Sequence, residues 1–322
     1  MEFIFDEIEI CECIGDFDEE YVYDVEVDDS THTFIGNDIL VHNSLYISYE
    51  NLLKTIEGYE KLSLEEKRDI IVKFNTGYLD KHNCQFISDY YASRYGKSVH
   101  NFELETLSYS GIWLDVKKKY AQLLLWQDQK IFDFDSMKLK NVGLEMKKPS
   151  YPKLSRSILS DVITYLLRNG ADIDIIHKLN IKLQELKQQW LTAPIDDICA
   201  NMSVNGYTKY IKDDKKQLIV APKCPANVKA MGNYNFIMNS HGIKGENLYT
   251  GKMKMYKFHI GKDMYDYFAY PAMEYPEWAK KYAPIDRKKM FIDYVLDPLN
   301  RILKPAGFEE LNYDGSIQFS LF

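Results

Sequence analysis

The first 43 residues carry fourteen Asp or Glu and not one Lys or Arg, a formal charge of −14, whereas the rest of the chain holds 34 acids and all 40 bases, or +6. The net charge of −8 is therefore an average over two opposed segments. Like charges at that density repel, and 43 residues bury too little apolar surface to offset their ordering entropy. The acidic segment is thus expected to be largely disordered alone and to fold against something else, unless it serves only as a solubilising tail. The two sides of Asn43 have to be read separately.

Within the acidic segment, Tyr23-Asp24-Val25-Glu26-Val27, Thr31-His32-Thr33-Phe34 and Asn37-Asp38-Ile39-Leu40-Val41-His42-Asn43 alternate like short strands. An Asp-Asp-Ser turn and a Gly-Asn-Asp turn part them. As bare pattern this is a small β element, in which His32 is an ordinary histidine and Asp24 a turn acceptor. In order and spacing the run resembles the two C-terminal sequence blocks of an intein. An asparagine amide can attack its own backbone carbonyl, closing a succinimide and releasing the next residue. Both nucleophile and leaving group are poor, so positioning and proton transfer must supply the rate. The resemblance implies that Asn43 cyclises while His42 polarises the scissile carbonyl or protonates the leaving nitrogen. It makes His32 a second proton-transfer group, and Asp24 the residue that prepares Ser44. Ser44 is then the nucleophile that receives an upstream chain as an ester.

A complete intein also carries an upstream Cys or Ser junction and a Thr-x-x-His block, and neither precedes Asn43. With Met1 read as a translational start, residues 1–43 resemble the C-terminal half of a split intein. Its other half would arrive on a separate polypeptide, expected to be basic so that attraction speeds capture.

Downstream, Ser44-Leu45-Tyr46-Ile47-Ser48 resembles the sequence after the second aspartate of the Asp-Thr-Asp-Ser motif in family B DNA polymerases. Asn101-Phe102-Glu103-Leu104-Glu105 is similar to that family's carboxylate-bearing palm strand, and Lys117-Lys118-Lys119-Tyr120-Ala121 to its Lys-Lys-Arg-Tyr motif. Val142-Gly143-Leu144-Glu145 resembles the palm-to-thumb junction, and Pro222-Lys223-Cys224-Pro225 a stretch in the thumb of T-even-type phage polymerases. The implied organisation is an α+β multidomain chain. It has a small β intein (Hint-type) fragment at 1–43, the C-terminal palm at 44–143 and a mainly helical thumb at 144–322.

The residues themselves predict matching elements. Ser63-Leu64-Glu65-Glu66 is a capping box, with Ile70, Ile71, Phe74 and Tyr78 following at helical spacing. Residues 102–143 read as strands with a hairpin near Asp128 to Lys130. Ile158, Leu159, Val162, Ile163 and Leu166 mark a helix ending at Gly170. Ile176, Leu179, Leu183, Leu186 and Trp190 mark another.

Polymerisation joins a primer hydroxyl to the α-phosphate of a dNTP with two divalent ions, usually Mg²⁺, held by carboxylates. By resemblance the principal aspartates belong to the upstream half, so this chain alone should not polymerise DNA. Glu103 and Glu105 are implied to be auxiliary; two alternating acids also read as a solvated strand face. Lys117, Lys118, Lys119 and Tyr120 would touch the primer-template duplex, although such a run also fits an exposed strand end. Lysine at 119 replaces the usual arginine, which removes a bidentate contact. Lys215, Lys216, Lys223, Lys229, Lys244, Lys252 and Lys254 are candidates for phosphate contacts or simply surface lysines. Gln318, Phe319, Leu321 and Phe322 resemble the terminal peptide that binds a sliding clamp; the alternative is a tail folded on its own domain.

Five cysteines without Cys-x-x-Cys spacing, no signal peptide and no membrane-length apolar run suit a reducing cytoplasm, no structural zinc and no membrane partner; the resemblance to phage polymerases implies the cytoplasm of an infected bacterial host. The sequence thus points to a trans-splicing precursor of a DNA polymerase. The alternatives are an acidic segment that docks two polymerase halves noncovalently, or an independent DNA-binding module.

Overall fold

The structure, a computed structural model, describes residues 34–36, 39–41, 48–96, 104–114, 116, 118–170, 172–210 and 224–316. The chain divides into two compact units, Met1–Lys61 and Leu62–Phe322. In the first, β1 (Phe34–Gly36) pairs antiparallel with β2 (Ile39–Val41), Phe34 opposite Val41 and Gly36 opposite Ile39. A short helix follows, α1 (Glu50–Lys54), whose end residues pair at 2.5 Å.

The second unit opens with α2 (Leu64–Phe74) at the expected capping box. The Ser63 hydroxyl accepts from the Glu66 amide at 3.1 Å, and the Glu66 carboxylate accepts from the Ser63 amide at 2.8 Å. α2 runs through a π-helical segment, Asn75–Cys84, into α3 (Gln85–Tyr95). Ile71 is buried and Ile70 and Phe74 are half-buried, but Tyr78 is 53% exposed. The wider i→i+5 turns carry Tyr78 off the 3.6-residue stripe, and it stacks on Phe74 instead, 5.5 Å between centroids.

Four strands follow: β3 (Thr106–Trp113), β4 (Tyr120–Gln127), β5 (Lys130–Ile131) and β6 (Lys138–Val142). β4 lies between β3 and β6, and β5 folds back on its end. The β4–β5 turn falls at Asp128 and Gln129, with φ +48° and +63°, as a two-residue hairpin turn requires. Ala121, Leu123 and Leu125 alternate onto one face of β4 and join the main core with α4 (Lys153–Asn169) and α5 (Ile175–Thr192). The α4 stripe of Ile158, Leu159, Val162, Ile163 and Leu166 is fully buried, and the helix stops before Gly170. In α5, Leu179, Leu183, Leu186 and Trp190 are buried and Ile176 half-buried.

The remaining described elements are α6 (Ile195–Ile198), β7 (Ala200–Val204), α7 (Ala226–Ser240), β8 (Gly251–Gly261), β9 (Met264–Pro271), α8 (Ala279–Tyr282), α9 (Arg287–Phe291) and α10 (Asp297–Leu303). Here the expected helical body needs correction, because β7, β8 and β9 form an antiparallel sheet. Its Tyr256, Phe258, Phe268 and Tyr270 side enters the main core, while Met253 and Ala269 on the opposite side enter a second cluster with Val204, Tyr207, Val228 and Met231. The unit is α+β. Among the described residues no helix is long and apolar enough to cross a membrane.

Candidate nucleic-acid interface

The lysine-tyrosine run sits where three strands end together. Tyr120 opens β4, opposite Trp113 of β3 on one side and Val142 of β6 on the other. The loop from Trp113 to Tyr120 is closed by the Leu114 amide, which donates to the Lys119 carbonyl at 3.0 Å. Lys118 takes φ +58°, turning the chain so that its side chain is exposed while Lys119 and Tyr120 are half-buried.

Directly beneath lies Gly143, at φ +68°. A Cβ there would come within 3.0 Å of the Lys118 carbonyl oxygen, a separation real Cβ atoms do not show. Two motifs distant in the chain, one basic and one glycine-centred, therefore meet backbone to backbone at Lys118 and Gly143. A glycine is needed both for the left-handed conformation and for the close approach.

After Gly143 the chain drops into the core at Leu144, 2% exposed, and turns through Glu145–Lys147 toward α4. Glu145 pairs with Lys148 at 3.0 Å and lies 3.8 Å from Arg301 of α10, so it ties the junction to the far end of the unit. Burial, then the Glu145 charge, raises the Tyr151 hydroxyl above its usual range. The Tyr151 ring packs edge-on to Tyr294 at 5.2 Å. The Ser155 hydroxyl donates to the Tyr294 carbonyl at 2.5 Å, pinning α4 to the same place.

Glu105 forms an ion pair with Lys140 of β6 at 2.8 Å and is otherwise well exposed. One carboxylate already engaged by a lysine does not make a divalent-ion site, and among the described residues no group of three His, Cys, Asp or Glu could hold one. Glu103, the other carboxylate the polymerase resemblance implies, lies outside the described residues.

Of the scattered lysines, Lys254 is bound to Asp196 at 3.0 Å and Lys229 to Asp266 at 3.1 Å. Lys229 remains about half exposed in its pair, whereas Lys254 is more enclosed. Lys244 and Lys252 are exposed. The Asp196 tie extends to the Tyr270 hydroxyl, which donates at 2.6 Å, and to Cys199, whose thiol burial pushes up to about 12. Cys199 is thereby an inert packing residue. Cys224 is half-buried against the second core, and Pro225 precedes α7.

The chain leading to the C-terminus is fixed as far as Ser316. Lys187 donates to the Tyr313 carbonyl at 2.8 Å, Asn180 to the Gly315 carbonyl at 2.5 Å, and Asn300 exchanges two hydrogen bonds of 2.9 Å with Leu311. Asp24, His32, His42, Asn43, Ser44, Glu103, Lys117, Lys215, Lys216, Lys223, Gln318, Phe319, Leu321 and Phe322 lie outside the described residues. Neither a protein-family model nor a curated protein matches the sequence.

Proposed function

We propose that the chain is a precursor in which residues 1–43 are the C-terminal half of a split intein and residues 44–322 the C-terminal palm and thumb of a family B, T-even-phage-type DNA-directed DNA polymerase. The observation that supports this best is the meeting of Lys118, Lys119 and Tyr120 with Gly143 at one end of the four-stranded sheet. A loop whose backbone is braced from below carries an exposed lysine, Lys118, beside a half-buried one, Lys119. Lysine ammonium groups can bind phosphates, or minor-groove acceptors shared by all base pairs, without preferring a sequence.

The β1–β2 hairpin is consistent with the splicing half. Its second strand ends at Val41, so His42 and Asn43 follow without a linker. In trans-splicing the Ser44 hydroxyl attacks the upstream chain's terminal acyl group, carried as a thioester or ester on the Cys or Ser that opens the partner's intein fragment; that side chain leaves, taking up the proton, and the acyl group becomes an ester on Ser44. The Asn43 amide nitrogen then attacks its own carbonyl, breaking the 43–44 bond and freeing the Ser44 amine. That amine displaces the ester oxygen and an amide results. The product joins Ser44 to the Asp-Thr-Asp end of the partner, so neither unjoined half holds a whole polymerase site. Mg²⁺, held mainly by the partner's aspartates, supplies charge stabilisation for dNTP addition. Residues of this chain position the duplex, and the C-terminal peptide recruits a sliding clamp.

The test is primer extension on a primed template with Mg²⁺ and dNTPs. Synthesis is expected when this chain is incubated with the upstream half and from neither polypeptide alone. Unaided synthesis by this chain, or none from the mixture after ligation is verified, contradicts the proposal. Deleting residues 318–322 should shorten clamp-dependent products and leave distributive synthesis unchanged.

A further inference from the structure

One feature at the lysine loop is not part of the lysine-tyrosine motif. Trp113, the last residue of β3, is 46% exposed, an unusual position for the largest apolar side chain. Its indole lies across Gly111, where any Cβ would fall within 3.0 Å of the ring. It also stacks against the cross-strand Tyr120 ring at 24° and 6.5 Å. Gly111 is thus a seat that sets the indole near-parallel to Tyr120, and the pair forms an aromatic ledge at the mouth of the loop that carries Lys118 and Lys119.

Resting on the polymerase reading, the geometry points to Trp113 as a further DNA-contact residue. Its indole takes the sugar and base faces of the terminal nucleotides of a duplex, while the adjacent lysines take their phosphates. Three observations support nucleic acid as the occupant. The ring is held flat by a glycine rather than rotated into the core. Lys118 and Lys119 belong to the same loop, which is closed by the Leu114–Lys119 hydrogen bond of 3.0 Å, and Lys118 is exposed there. Stacking on a π-face tolerates any base, as a replicative contact must. Gly111 is a positioning residue, because it acts through Trp113.

The experiment is a titration of the full chain with a hairpin primer-template carrying a 5′ overhang, read by anisotropy and by tryptophan emission. The other three tryptophans are more enclosed: Trp190 is fully buried, Trp126 8% exposed and Trp278 half-buried. Duplex should therefore quench the wild-type emission, and Trp113→Phe should remove the quench while keeping affinity within a few-fold. Trp113→Ala should weaken binding by roughly 5- to 100-fold. Gly111→Ala, which displaces the ring while retaining it, should weaken binding and alter the quench together. Should Trp113→Ala perturb folding by circular dichroism, the Phe and Gly111 variants decide. Wild-type affinity and quench in all three variants, with Lys118→Ala still weakening binding, overturns the role of Trp113 alone. No duplex binding by wild type overturns the DNA interface as well.

Discussion

Replacing Gly143 with alanine should damage the basic loop from underneath. An alanine at φ +68° costs about 1–2 kcal/mol from its left-handed conformation alone. The new methyl also collides with the backbone oxygen of Lys118, which cannot rotate away as a side chain would. Relief requires moving the Lys118–Lys119 peptide, and with it the 3.0 Å hydrogen bond from Leu114, worth about 1 kcal/mol. The sum is a loss of about 2–3 kcal/mol. Gly242 provides the internal control. It has φ +62° with nothing near its missing Cβ, so Gly242→Ala should show only the conformational cost, about 1–2 kcal/mol. Urea unfolding of both variants, with duplex affinity measured below the transition, isolates the packing contribution. Equal destabilisation by the two alanines, or an unchanged duplex affinity in Gly143→Ala, would refute the brace.

Other substitutions probe the framework. Trp190→Ala should destabilise by about 3–5 kcal/mol in the same assay. The fully buried indole donates to the Arg287 carbonyl at 2.9 Å and packs on Phe291, so the variant loses both volume and a hydrogen bond. Ser63→Ala should cost about 1 kcal/mol, seen as earlier loss of helical signal on heating. Gln129→Gly should stabilise by about 0.5–1 kcal/mol, seen as a slightly higher urea midpoint, because relief of the left-handed strain at φ +63° exceeds the entropic cost of the added glycine. For Asp196, burial raises the carboxyl pKa, but the Tyr270 hydroxyl and Lys254 more than offset this and hold it below the usual range. Its contribution is therefore present above the unfolded carboxylate value near ~4 and is lost as pH falls through the lower folded value. The stability gap between wild type and Tyr270→Phe should be widest near neutrality and shrink in acid; a gap that widens in acid contradicts the assignment.

The elements legible in the sequence were those whose signal is local. The capping box at Ser63, the apolar stripes of α4 and α5, and the hairpin at Asp128–Gln129 each depend on residues a few positions apart. The β7–β8–β9 sheet is not announced locally, because β7 pairs with a strand far along the chain, Ala200 opposite Met255. The partner that neutralises Lys254 is Asp196, 58 residues earlier, and no local pattern announces so distant a pairing. Tyr78 misled for a related reason, since the spacing fits an α-helix but the backbone there is π-helical. At the candidate site the lysine run was visible in sequence. Its brace at Gly143 and the seat for Trp113 on Gly111 depend on cross-strand register and close backbone approach, which emerge only in three dimensions.

The most direct measurement is the intact mass of the products after mixing this chain with an upstream half carrying the N-terminal intein fragment. Trans-splicing yields a ligated species containing residues 44–322 and a released 43-residue peptide ending in a succinimide. Asn43→Ala should abolish both. Unchanged masses accompanied by Mg²⁺-dependent synthesis would contradict splicing and leave the acidic segment as a noncovalent dock between the two polymerase halves.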